Sequence, residues 1–268
     1  MITLLKIELK KILPNKTFWV LIGLYILLTG FILFSIQGIV NSFASNVSDD
    51  EFPDMLSFSL YRFPVVWHNL TYVVGFLKIF LAVVIIVLVT NEYSFKTIRL
   101  NISSGLSRTD FVLGKVLLTA FLSLLAVLLV LISGLILGML NTAVITFDGI
   151  FDKFSFLLAY FLEIFTYLSF AMLIGFLLKR SGLSIGLLLL YAYIVEPIAV
   201  FYLPDYLERI MPLESVSRLI GLPKTSIMKL IDKIDFINYV RWEDALISSG
   251  YALLFLFLVF LIAKKRDF

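Results

Sequence analysis

Asn91–Lys115 reads NEYSFKTIRLNISSGLSRTDFVLGK, a polar interval between two long apolar runs, and the fold is decided by how it is read. It carries Glu92, Lys96, Arg99, Arg108 and Lys115. Gly105 marks a turn, and Ser107 stands where a side-chain oxygen caps a following helix. A loop this rich in Lys and Arg between two membrane spans belongs on the cytoplasmic side. At about 20 residues it is longer than a tight helical hairpin needs, so it is expected to hold structure of its own. A solvated, positively charged connection fits the same composition.

Working outward, runs of about 20 apolar residues cross about 30 Å of hydrocarbon at about 1.5 Å per residue. Such runs fall at 17–40, 68–90, 112–140, 154–178, 183–203 and 245–263. Hydrophobic residues make up 61% of the 268 and charged residues 15%, against about 45–50% and about 25% in a soluble domain. The expected fold class is therefore an all-α polytopic membrane protein, one transmembrane domain of six helices over 1–268. The first run is longer than a signal-peptide core and has no small-residue cleavage pattern, so it is expected to be retained.

Six spans place both termini on one face. The tail through Lys16, the 91–115 interval, Lys179-Arg180 and Lys264-Lys265-Arg266 hold thirteen of the 22 Lys and Arg. The two shorter loops on the other face hold only Arg62 and Lys153, against Asp49, Asp50, Glu51, Asp54, Asp148 and Asp152. Both ends are thus expected to be cytoplasmic. The chain has no Cys, which excludes disulfides, thiolate metal sites and Cys nucleophiles. One His excludes a multi-histidine metal site, and a net charge of +3 gives no argument for nucleic acid.

Residues 2–13, ITLLKIELKKIL, put Ile2, Leu5, Leu9, Ile12 and Leu13 on one helical stripe. This predicts an amphipathic helix in the membrane plane, with Lys6, Lys10 and Lys11 toward anionic lipid head groups and Pro14-Asn15 ending it. A basic tail is the alternative. The 204–244 segment is placed outside by the parity of the spans. Pro197, Pro204, Pro212 and Pro223 cut this part of the chain into short pieces, so the fifth span is expected to end near Glu196 and re-enter as broken helices. Ile227, Leu230, Ile231, Ile234 and Ile237 predict a further amphipathic helix.

Three ionisable residues fall within spans: Lys78, Glu163 and Glu196. Lys78 and Glu163 lie at equal depth, about 14–15 Å from the outer ends at about 1.5 Å per residue, and their opposite charges make a pair possible. Such a pair either changes exposure during transport or fixes helix packing. Glu196 lines a pathway or, more simply, turns a broken helix toward outer water. His68, beside Trp67, is expected at the outer interface. Gly134/Gly138 and Gly182/Gly186 suggest close helix approach. No phosphate loop is present: Gly114-Lys115 is followed by Val116 and has no glycine five residues before it. No nucleophile motif precedes a suitable helix either.

The order Glu92, Lys96-Thr97, Gly105-Leu106-Ser107-Arg108, Phe111 and Gly114-Lys115 resembles the segment between the second and third spans of permease subunits of ABC-2 type ABC transporters. The family pattern has Gly before the Thr and Pro before the Ser-Arg pair; here those places hold Lys96 and Gly105. The resemblance implies a coupling helix within 91–115 that docks in a separate ATPase subunit through Glu92, Lys96, Thr97, Arg99 and Arg108. The 1–14 helix would be the elbow helix, and short outer helices would lie between spans five and six. It also implies an exporter with no ATPase chemistry of its own. ATP and Mg would be bound by the partner, and the chain would pair with a second permease copy, identical or homologous, in a bacterial cytoplasmic membrane. An ATP-independent secondary transporter or channel subunit is the alternative. Such a transporter calls for more paired intramembrane charges, or for an internal inverted repeat.

Overall fold

The computed structural model describes residues 2–45, 60–95, 97, 107–223 and 239–265. Among them every regular element is a helix. Helix α1 (Ile2–Ile12) stops at Pro14, which has no backbone N–H and cannot follow an interior helical residue. Asn15 Oδ1 accepts from Thr17 N at 3.0 Å, and Trp19 Nε1 donates to Leu13 O at 2.8 Å, fixing the corner into α2 (Lys16–Ser45). The next run forms two helices, α3 (Val66–Gly75) and α4 (Lys78–Ser94), bent by 47°. No proline lies at the bend. Leu77 N donates to Val74 O and Phe80 N to Leu77 O, three-residue steps that tighten the backbone there.

Ser107 adopts an extended backbone, and its hydroxyl accepts from Asp110 N at 3.0 Å, capping α5 (Arg108–Asn141). Thr146 does the same for the short α6 (Phe147–Phe151), which runs into α7 (Ser155–Leu178). Lys179 ends α7 in a left-handed conformation. Helix α8 (Ser181–Leu190) then continues through a π-helical turn, Tyr191–Val195, into α9 (Glu196–Tyr202). Two short helices, α10 (Asp205–Glu208) and α11 (Pro212–Ser217), precede α12 (Trp242–Lys265). Five stretches are long and apolar enough to cross a membrane: α2, α5, α6 with α7, α8 through α9, and α12. The bent α3–α4 pair, counted as one, makes six.

One expectation needs correcting. The fifth span does not end at Glu196; it runs on to Tyr202. Pro197 has no N–H to give, and in an α-helix its ring would meet the carbonyl four residues back. The wider turn before it, in which Glu196 N bonds to Tyr191 O, absorbs that conflict without breaking the span. The two short helices, α10 and α11, lie beyond this point. The amphipathic helix expected at 227–237 and most of the 91–115 interval lie outside the described residues.

Helix α7 is the central post, packing on α4, α5 and α12. The window that includes it is 67% buried, against 17% for α2, so α7 is shielded by neighbours while α2 presents its side chains outward. Tyr160, Phe156, Phe176 and Met172 of α7 are inaccessible, whereas Phe31 and Phe34 of α2 are exposed, the surface expected to meet lipid.

Gly134 and Gly138 do permit close packing, but against rings rather than a helix backbone. A Cβ at Gly134 would lie 2.5 Å from the Trp67 ring, and one at Gly138 would lie 2.4 Å from that of Phe63. Gly182 and Gly186 face open space. Gly134→Ala should therefore cost about 1–3 kcal/mol, read as a lower midpoint in thermal unfolding of detergent-solubilised protein. Gly182→Ala should leave the midpoint unchanged or slightly raised, since alanine favours a helix.

Candidate functional site

The N-terminal helix carries an acid inside its apolar stripe. Glu8, three residues after Leu5 and four before Ile12, is 3% exposed. It points at the start of α5, where Lys115 is equally buried within the packed face of Phe111, Val112, Leu118 and Thr119. Lys115 Nζ lies 2.6 Å from Glu8 Oε2 and 2.5 Å from Glu92 Oε1, near the end of α4. Lys11 closes the figure, 3.1 Å from Glu8 Oε1 and 3.3 Å from Glu92 Oε1. The result is a ring of alternating charge in which each carboxylate meets both ammonium groups. Gly114 makes the approach possible, since a Cβ there would sit 3.2 Å from Glu8 Cγ. A cavity of about 260 Å³ borders the ring.

The ring changes the reading of several residues. Glu92, expected as an exposed docking side chain, is buried and committed to Lys115 and Lys11. Thr97 donates back to the Glu92 carbonyl at 3.3 Å. Arg108 Nη1 donates to Lys264 O at 3.1 Å, joining the start of α5 to the end of α12. Lys96 and Arg99 lie outside the described residues. On α1, Lys6 and Lys10 are exposed as the in-plane reading requires, while Lys11 turns inward to the ring. Leu13, placed in the apolar stripe, is exposed. Two ring members escaped the reading of the sequence as site residues, Glu8 and Lys115; each is a charge standing at helical spacing among apolar residues.

A second assembly lies further along the same bundle. The bend between α3 and α4 places Lys78 on the first turn of α4, with Nζ 2.6 Å from Glu163 Oε1 on α7 and 5.2 Å from the centre of the Tyr167 ring. Gly75 leaves room for this carboxylate, since a Cβ there would be 3.3 Å from Oε1. Glu196 does not reach outer water. It is 3% exposed, and its Oε1 accepts from Leu213 N at 2.6 Å and Glu214 N at 2.8 Å at the start of α11. His68 is buried: Nε2 is 2.7 Å from Gly221 O, and the ring stacks on Phe156 with centres 4.0 Å apart. Trp67 is also buried, donating to Ile150 O at 2.7 Å. Among the described residues no group of three or more His, Asp or Glu is placed to hold a metal ion.

Helices long and apolar enough to span a bilayer define an integral membrane protein. The model of the family described as ABC-2 family transporter protein matches residues 2–268, and the chain belongs to that family. It is accordingly an ABC transporter permease, a subunit that is not itself an enzyme, and membership implies pairing with an ABC ATPase subunit. A comparison with curated proteins finds no match.

Removing one member of a buried ion pair strands its partner and costs about 3–5 kcal/mol. Lys115→Met leaves two buried carboxylates sharing Lys11 and should lower stability by about that amount. Glu8→Gln with Lys115→Met restores neutrality and should recover part of the loss. The double-mutant comparison by thermal unfolding measures the coupling directly.

Proposed function

We propose that this chain is the membrane-spanning subunit of an ATP-driven exporter. A separate ATPase subunit binds ATP and Mg and hydrolyses the nucleotide; its closure moves the 91–115 segment, and that movement carries an amphipathic substrate outward. Peptide antibiotics, lipids and drug-like molecules are the substrate classes this reading takes in. The assembly contains two permease copies, identical or homologous, in a bacterial cytoplasmic membrane. Both termini lie on the ATPase side, and α1 rests in the head-group layer.

The observation that supports this reading best is the charge ring. Glu92 and Lys115 stand at the two ends of the polar segment, and they are 2.5 Å apart. A load on the segment therefore reaches α4 and α5 together, and through Glu8 and Lys11 it reaches α1. Packed elements clamped in this way move as a body rather than bending independently. Arg108 extends the same load to the end of α12.

Arg99→Glu together with Arg108→Glu should reduce co-purification of the ATPase, and its stimulation by the permease, by about tenfold or more, given reversed charge at a docked surface. Unchanged recruitment and unchanged stimulation would remove the mechanism. Cargo movement by the purified chain without any ATPase would instead favour a gradient-driven transporter or channel subunit. At the second assembly, Lys78→Glu with Glu163→Lys should recover more transport than either single change. Recovery no better than the singles would assign that pair no role in the transport cycle.

A further inference from the structure

A cavity of about 310 Å³ lies between the bend of α3–α4, α7, the π-helical turn with α9, and α11. That volume is at the small end of the range for ligand sites. Phe76, Tyr167, Tyr193 and Pro197 give it an aromatic and apolar lining, and Lys78, Glu196 and Glu214 also reach it. Two of these three charges are already matched. Lys78 is held by Glu163 at 2.6 Å, and Glu214 by Arg218 at 2.8 Å.

Glu196 differs from both. Its Oε1 takes two backbone N–H groups, but Oε2 is buried with no hydrogen-bond partner, and the residue joins no ion pair among the described residues. The Tyr191 hydroxyl stands close enough to donate toward this carboxylate, though Oε2 has no bond of ordinary geometry. A buried carboxylate oxygen with nothing to accept is costly, and a ligand that supplies a donor or a positive charge recovers that cost. The lining favours a cation, with two acids to one base and with aromatic faces that attract positive charge. Beside the cavity, Tyr193, Ile198 and Phe201 are 58%, 54% and 81% exposed, an apolar surface along which a hydrophobic body can lie.

We propose that this cavity binds the positively charged, nitrogen-bearing group of an amphipathic cation. The group seats at Glu196 Oε2 against the Tyr193 ring, on the side of the cavity away from Lys78, and the apolar part of the molecule extends along α9. The assignment narrows the proposed substrate class, and only the role of the cation as cargo rests on the exporter reading; binding needs no ATPase.

The test uses the full chain in phosphatidylglycerol nanodiscs, with ethidium as the probe and empty nanodiscs as the blank. One saturable site is expected. Glu196→Gln keeps an oxygen for the Leu213 and Glu214 N–H groups but removes the charge, and should weaken binding about tenfold or more, the scale of one lost charge contact. Tyr193→Leu should weaken it several-fold. If adding phosphatidylethanolamine displaces ethidium, the natural occupant is a lipid head group; if it does not, the occupant is a free organic cation. Absence of saturable binding, equal binding by Glu196→Gln, or tighter binding of the anionic probe anilinonaphthalene sulfonate than of ethidium would overturn the assignment. ATPase co-purification with the same variants separates the two ideas. Binding that depends on Glu196 without any ATPase recruitment would count against the exporter reading and leave the site standing, whereas recruitment without such binding would do the reverse.

Discussion

Two buried carboxylates and a buried ammonium group, closed by a partly exposed Lys11, are the constraint on which this end of the molecule depends. Each charge alone would cost several kcal/mol to bury. They are tolerated because Glu8, Lys115, Glu92 and Lys11 alternate around a ring in which every acid touches both bases. Attraction between buried groups falls off with distance and depends on geometry, so the ring is stable only while α1, α4 and α5 keep their mutual positions. Apolar packing of the same helices would tolerate small slips. The ring does not, and this turns three helices and the two ends of a polar segment into one mechanical unit.

The middle of the bundle repeats the theme with different partners. Lys78 ties the bend of α3–α4 to the central α7, and Glu196 ties the π-helical turn to the start of α11. Helix α7 is mostly enclosed, the common surface on which α4, α5 and α12 pack. The bend of α4 lines the cavity that Glu196 also reaches, so the ring and the cavity are joined by one helix.

Much of the architecture could be read from the chain. Apolar runs near the length of a bilayer crossing gave the spans, Ser107 announced the cap of α5, and equal depth with opposite sign brought Lys78 and Glu163 into consideration together. What escaped was of two kinds. Glu8 lies in a helix short enough to read as a surface element, so its place between Leu5 and Ile12 passed as ordinary amphipathic variation. Lys115 passed as part of a basic loop, although the Phe111, Val112 and Leu118 positions around it form a buried stripe. Glu92 and Lys11 were given outward roles because a charge near a span end usually faces water. Pro197 read as a stop because periodicity has no signal for a widened turn. The four charges depended on which helix faced which, a tertiary fact without a local sequence period, whereas the turn before Pro197 is a local backbone adjustment.

The claim that the charge ring holds α1 to the roots of α4 and α5 is tested most directly by hydrogen–deuterium exchange over residues 2–12, in the natural chain and in Lys115→Met. The account predicts protected amides in α1 of the natural chain both with and without ATP-bound partner, and exchange about tenfold or more faster in Lys115→Met while α7 stays protected, as expected for local release of one element. Equal α1 protection in the two proteins would contradict it, as would loss of α1 protection in the natural chain on ATP binding.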